Sequence, residues 1–121
     1  MKYLLFSLLL AATAPALAQS SARPAPATAP DAARPLLQAE AACGQCKLGL
    51  PGKNCDLAVR LNGQAYFVDG TTIDEHGDAH AQDGFCNAIR QAEVQGTVVN
   101  NRFQATYFRL LPESPAAPAK P

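Results

Sequence analysis

The sequence lacks an excess of charge of either sign, and outside its first 18 residues it lacks a long apolar segment. Its 121 residues include 10 Lys and Arg against 10 Asp and Glu, so the formal net charge is zero. A nucleic-acid-binding domain is expected to carry a basic patch or stripe, and none is visible. No serine lies in a nucleophile motif, and no complete catalytic constellation is present. The sequence therefore predicts a non-catalytic protein that does not bind nucleic acid.

The first 18 residues have the composition of a secretory signal peptide. Lys2 precedes a short apolar run over residues 4–12, and Ala16-Leu17-Ala18 offers a small-x-small cleavage site. The apolar run is too short to span a bilayer, which takes about 20 residues. We therefore expect cleavage after Ala18, a periplasmic or secreted location, and no membrane insertion of the mature protein.

Alanine and proline dominate two further segments, residues 19–35 and 113–121. Neither has a periodic apolar pattern, which predicts a semi-extended linker and a tail. Between them, residues 36–112 form one small domain. Domains of this size bury a modest share of their surface and often need disulfides or a metal ion.

Asn62-Gly63 gives the clearest local prediction, because this dipeptide between apolar-rich runs is typical of a two-residue hairpin turn. In that register Val59 opposes Tyr66. Side chains alternate along a strand, so one face is predicted to hold Leu57, Val59, Tyr66 and Val68. Ala58 and Phe67 are then expected on the other face.

A second hairpin is predicted around Asn100-Asn101, which can supply two left-handed turn residues. The expected opposing pairs are Val98 with Phe103, Gly96 with Ala105, and Val94 with Tyr107. The apolar pattern changes parity after Tyr107, which indicates a β-bulge or a strand buried on both faces.

Helical structure is predicted in two places. Residues 36–42 are rich in helix formers and favour one or two turns. Asp83 can cap a short helix from Gly84, with one apolar stripe formed by Phe85, Cys86, Ile89 and Ala92. Two hairpins with a short helix between them predict a mainly β fold, a small antiparallel OB-like barrel with a cysteine-stabilised N-terminal loop.

These segments resemble an uncharacterised family of small secreted bacterial proteins. The stretches that carry the resemblance are CGQC, GKNCDLAV, NGQAYFVDGT, IDEHGDAH, DGFCNAIR and VQG…RFQATYF, over most of residues 42–112. The resemblance implies export and the extent of the domain, and no activity. A weaker similarity, to periplasmic OB-like proteins with a VxGxVxxxxF strand pair, implies a barrel without catalytic residues.

The four cysteines and two histidines carry the chemistry. Cys43, Cys46, Cys55 and Cys86 are an even set in a short exported domain, which is typical of a disulfide framework. Four cysteines allow three pairings, and the spacing does not choose among them. A bridge from the 43–55 loop to Cys86 would stabilise the fold by about 3–4 kcal/mol.

Metal binding is the alternative for the same side chains. Thiolates favour zinc or copper(I), and imidazole suits zinc and copper. Cys43 and Cys46, two residues apart, form a good half-site. The other candidate ligands are Cys55, His76, His80 and Cys86. The acidic residues near the histidines can orient the imidazole rings.

Thiol redox chemistry is the third possibility, because Cys43-Gly44-Gln45-Cys46 has the C-x-x-C form used in disulfide exchange. No strand–helix alternation surrounds it, so a thioredoxin-like fold is not expected. The sequence leaves two functions open: binding or handling of copper or zinc in the periplasm, or a disulfide-stabilised module that recognises an envelope protein or a saccharide. Disulfides in the scaffold are compatible with a separate ion site at the histidines.

Overall fold

The computed structural model describes residues 26–113, and the predicted signal peptide lies outside this range. Five strands close into one barrel in the order β1-β2-β3-β5-β4. The strands are β1, Leu37–Cys43; β2, Leu57–Leu61; β3, Gln64–Asp69; β4, Arg90–Val99; and β5, Arg102–Leu110. One helical turn, α1, Gly44–Lys47, follows β1, and a short 3₁₀ helix, Ile73–His76, follows β3. The predicted fold class, a small mainly β barrel, is confirmed.

Both predicted hairpins are present, and their turns have the expected backbone. Asn62 and Gly63 have φ angles of 50° and 82°, and Asn100 and Asn101 have φ angles of 51° and 61°. Positive φ at both central residues matches the twist of the flanking strands. The predicted pairs Val59 with Tyr66, Val98 with Phe103, and Gly96 with Ala105 are all observed.

The second hairpin departs from the predicted register further from its turn. Val94 pairs with Phe108, and Gln95 pairs with Tyr107, because the register shifts between Gln95 and Gly96. The predicted pairing of Val94 with Tyr107 is therefore wrong by one residue. The bulge inferred from the change of parity is real, and its extra residue, Thr106, lies on β5 directly before Tyr107.

The N-terminal segment of the domain is a strand, and the helical prediction for residues 36–42 is wrong. β1 pairs with both β2 and β4. Ala39, Ala41 and Cys43 alternate into the main core, while Ala42 faces a second cluster. Two ladders of hydrogen bonds and burial on both faces outweigh the helix propensity of alanine, which is a weak preference.

The predicted helix from Gly84 is also wrong. Residues 82–87 form turns, and Ala92 already belongs to β4. The Phe85 carbonyl accepts the Cys43 N–H at 2.9 Å, and the Cys86 N–H donates to the Ala79 carbonyl at 2.9 Å. These hydrogen bonds replace the i to i−4 bonds of a helix. The apolar residues of the predicted stripe therefore lie partly in a turn, at Phe85 and Cys86, and partly in β4, at Ala92.

The barrel is not wholly antiparallel, because β3 and β5 pair in parallel. Its core is completed by three buried residues of the connection between β3 and β4, Ile73, Ala79 and Phe85. On the outer face, Ala42, Ala58 and Leu48 form a second cluster with Leu50 and Phe67. This second cluster holds α1 and the following loop against the sheet.

Part of the predicted linker lies against the barrel. Ala27 forms an isolated bridge with Tyr107. The buried Gln95 side chain accepts the Asp31 N–H at 2.8 Å and donates to the carbonyls of Asp31, at 2.9 Å, and Arg34, at 3.0 Å. Across residues 26–113, no helix has the length and apolar character that crossing a membrane would require.

Candidate metal centre

The four cysteines converge because of how β1 pairs. Cys43 is the last residue of β1, Cys55 precedes β2, and Cys86 precedes β4. β1 is antiparallel to both of these strands, so its C-terminal end lies beside their N-terminal ends. Cys46 joins them from α1, which begins directly after Cys43.

The Sγ atoms of Cys43, Cys46, Cys55 and Cys86 all lie within 4.8 Å of one another. Cys43 is buried, Cys55 and Cys86 are half-buried, and Cys46 is exposed. The cluster therefore reaches from the barrel core to solvent. The Sγ atoms of Cys55 and Cys86 are 2.7 Å apart.

The C-x-x-C turn is a one-turn helix capped by its own first cysteine. Cys43 is the residue before the helix, and its Sγ accepts the Cys46 N–H at 3.3 Å. Gly44 is required at the next position, since a Cβ there would lie 2.7 Å from Phe67 Cε1 and 3.0 Å from Ala58 Cβ. Close packing of the turn on the sheet thus depends on glycine between the first cysteine and Gln45.

The thiols differ in their acidity. Burial raises the pKa of Cys43, but hydrogen bonds from the Cys46 and Cys55 thiols and from backbone N–H groups outweigh it and lower the pKa below its usual range. Donation to Cys43 raises the pKa of Cys46. Burial and hydrogen bonding to Cys86 raise the pKa of Cys55 well above its usual range. Cys43 is therefore a more acidic thiol than Cys46 or Cys55.

The two histidines lie outside this cluster. His76 is half-buried, with its ring centroid 4.4 Å from that of Phe108 and its Nε2 2.8 Å from Thr71 Oγ1. Burial lowers the pKa of His76, against the smaller opposing effect of the Glu75 carboxylate. His80 is exposed, and its backbone N–H donates to Asp78 Oδ1 at 2.9 Å. Of the six predicted ligands, the structure brings the four cysteines together and leaves both histidines apart.

Two polar residues beside the cysteines were not singled out from the sequence. Gln45 Nε2 donates to Asp56 Oδ2 at 2.7 Å, and Gln45 Oε1 accepts the Asp56 N–H at 3.0 Å. The only sequence signal for them is position, since Gln45 lies inside the C-x-x-C stretch and Asp56 directly follows Cys55.

Four converging thiols can ligate one ion or form two disulfides. A tetrahedral zinc site with Zn–S distances of about 2.3 Å has sulfurs about 3.8 Å apart. A closed set of four protein ligands leaves no position for a substrate, so such a site binds metal without catalysing a reaction on it. The Cys55–Cys86 pair would separate by about 1 Å to join that tetrahedron.

Of the comparisons with known proteins, one identifies a family for this chain. Searches of curated proteins and of solved structures gave no match to this chain. The likeness to periplasmic OB-like proteins and the secreted location therefore remain predictions. Residues 37–111, which contain the whole barrel and all four cysteines, match a described family of unknown function. The chain accordingly belongs to the family of unknown function DUF6370.

Proposed function

We propose that this protein binds one soft or borderline metal ion, zinc or copper(I), through the thiolates of Cys43, Cys46, Cys55 and Cys86. The observation that carries the proposal is the mutual approach of all four Sγ atoms to within 4.8 Å. Three separate segments supply these atoms, and thiolate sulfur is the ligand that these ions prefer.

The position of the cluster favours handling of the ion over a purely structural site. Cys46 is exposed, while Cys43 is buried. An ion held here would have one ligand at the solvent boundary, from which it can be exchanged. The proposal places this exchange in the periplasm, on the strength of the signal peptide composition over residues 1–18. It assigns no catalytic residue.

The protonation state of the thiols affects metal binding, because the ion competes with protons for the sulfur atoms. A thiol must lose its proton to bind zinc or copper(I). The lowered pKa of Cys43 favours its thiolate form, and the N–H of Cys46 already donates to its sulfur. Binding of the remaining thiols then releases protons.

The test uses the secreted protein, purified under reducing and anaerobic conditions. Intact mass reports the N-terminus and the number of thiols, and native mass spectrometry reports bound zinc or copper. Cobalt(II) substitution adds a spectrum, because four thiolates around cobalt give strong sulfur-to-metal charge transfer and tetrahedral d–d bands. We expect one ion per chain, lost in Cys43→Ser/Cys46→Ser and retained in the matched control His76→Gln/His80→Ala. Failure of the reduced wild-type protein to take up any of these ions would overturn the proposal.

The second candidate is a disulfide-stabilised interaction module, and the 2.7 Å approach of Cys55 Sγ to Cys86 Sγ favours it. In an oxidising compartment this pair is the first expected to link. A mature protein that is isolated from its own compartment four hydrogens lighter than the reduced chain supports this candidate. Its partner would then be an envelope protein or a saccharide, and its sulfurs would be unavailable to metal.

A further inference from the structure

Hydrogen bonds from Gln45 and Gly44 to Asp56 connect the C-x-x-C turn with the chain next to Cys55. The Gln45 side chain both donates to the Asp56 carboxylate, at 2.7 Å, and accepts from the Asp56 backbone, at 3.0 Å. The Gly44 N–H adds a third bond, to the Asp56 carbonyl at 2.8 Å. The C-x-x-C turn is thereby tied to the residue that directly follows Cys55.

The same amide also reaches the cluster. In the protonated, metal-free cluster the Cys43 S–H donates to Gln45 Oε1, with Sγ and Oε1 3.7 Å apart. One side chain thus contacts the first cysteine of the C-x-x-C pair and the chain next to Cys55. The intervening loop has two glycines with positive φ, Gly49 and Gly52. Leu48 and Leu50 hold the first part of the loop on the sheet, and the Gln45–Asp56 hydrogen bonds fix its far end, at Cys55, against α1.

Neither residue is needed for the barrel core. Asp56 is exposed, Gln45 is half-buried, and neither belongs to a hydrophobic cluster. A solvent-exposed polar pair adds little to global stability. Its main effect is therefore local, on the distance between the sulfurs of Cys43 and Cys46 and the sulfur of Cys55.

We propose that Gln45 and Asp56 are positioning residues, which hold Cys55 against the C-x-x-C turn and so set the affinity and geometry of the four-sulfur site. This inference rests on the proposed metal-binding function. Hydrogen-bond partners outside the ligand shell typically change metal affinity by about 10–100-fold when removed.

The direction of the side-chain bond allows a matched set of variants. In the wild type the Gln45 amide N–H donates to the Asp56 carboxylate. Gln45→Glu replaces this donor with a second carboxylate, which cannot donate, so the hydrogen bond is lost. Asp56→Asn preserves it, because the Gln45 amide can donate to the asparagine oxygen. Gln45→Glu/Asp56→Asn restores it in reverse, with the asparagine amide donating to the new carboxylate. The double variant also has the same local net charge as the wild type.

The measurements are cobalt(II) spectra and zinc competition with a chromophoric chelator, each on the full reduced protein. We expect zinc affinity to fall at least about tenfold in Gln45→Glu, and to stay within about threefold of wild type in Asp56→Asn and in the double variant. The cobalt d–d bands should shift in Gln45→Glu alone, while urea unfolding of the metal-free proteins stays similar.

Three outcomes overturn the inference, and they are distinguishable. If the wild-type protein binds metal and Gln45→Glu binds it equally well with the same cobalt spectrum, the positioning role is wrong and the metal site stands. If the wild-type protein binds neither zinc nor cobalt, the metal site itself is wrong and the positioning role falls with it. A loss of affinity in Gln45→Glu that the double variant does not recover also overturns it, because the added charge would then be the cause.

Discussion

Cys55 and Cys86 are 31 residues apart in the chain, and their Sγ atoms lie 2.7 Å apart. One residue precedes β2 and the other precedes β4, and these two strands flank β1 in the barrel. The pair therefore joins two segments that are brought together only by the strand pairing of β1. The same contact would form half of the proposed metal site when reduced, and it is the natural position of a disulfide when oxidised.

The first prediction concerns oxidation of the metal-free protein. Peptide mapping should find Cys55 linked to Cys86, and the link should raise stability by about 3–4 kcal/mol, because it closes a 31-residue loop in the unfolded chain. Urea unfolding of the oxidised and reduced forms measures the difference. Cys43→Ser/Cys46→Ser should keep the gain, and Cys55→Ser/Cys86→Ser should lose it. A gain that instead follows the Cys43 and Cys46 pair would contradict the prediction.

The second prediction concerns Gly44, where a side chain has no room. A Cβ would lie 2.7 Å from Phe67 Cε1 and 3.1 Å from Leu50 Cδ1. Gly44→Ala should therefore push α1 away from the sheet and cost about 1–3 kcal/mol. Urea unfolding of the reduced, chelator-treated protein gives this value, and zinc competition should show weaker binding. Lys47→Ala, in the same helical turn but exposed, is the control and should change neither.

Local turn chemistry explains which parts of this fold were predictable. Asn62-Gly63 and Asn100-Asn101 require positive φ, and the backbone provides it at all four residues. These turns determine the nearest strand pairs, so both hairpins followed from sequence. The bulge at Thr106 was visible only as a change of parity on β5, because a strand buried on both faces would give the same pattern.

Segments whose structure depends on distant partners were not predictable. Residues 36–42 favour a helix by composition, and only pairing with β2 and β4 makes them a strand. The stripe from Phe85 to Ala92 fits a helix, yet contacts with Ala79 and Cys43 make its first part a turn.

The candidate site shows the same limit. The sequence named all four cysteines as candidate ligands, but their convergence follows from barrel closure. The contact between Gln45 and Asp56 spans 11 residues of irregular loop, which has no periodic pattern. The histidines were candidates because imidazole suits zinc and copper, but one packs on Phe108 and the other faces solvent.

The third prediction concerns pH and His76. Burial lowers the pKa of His76 in the folded protein, while the unfolded chain keeps an ordinary histidine pKa of about 6.5. Above that pH both states are neutral at this residue. As the pH falls through about 6.5, the unfolded state binds its proton first, so stability falls. The loss levels off once the pH is below the folded pKa.

The test of this prediction compares urea midpoints at several pH values between 5 and 8. His76→Gln should flatten the dependence, and His80→Gln, at an exposed residue, should leave it as in the wild type. Glu75 has a lowered pKa, mainly because Thr71 donates a hydrogen bond to it. The stability that Glu75 contributes is present above its unfolded pKa of about 4.5 and is lost as the pH falls through its lower folded pKa. This loss therefore lies below the range of pH 5 to 8 used in the test. Equal slopes in the two variants would contradict the role of His76.

The fourth prediction concerns Gln95, whose buried amide holds residues 31–34 on the barrel. It exchanges hydrogen bonds with the backbone of Asp31 and donates to the Arg34 carbonyl. Gln95→Leu keeps much of the apolar volume but removes all three bonds, so we expect a loss of about 1–3 kcal/mol. The Asp31 amide should also exchange its hydrogen faster, because its acceptor is gone. Gln91→Leu, at an exposed residue of the same strand, should leave both quantities unchanged. If the Asp31 amide stays equally protected in Gln95→Leu, contacts other than this side chain hold the segment in place.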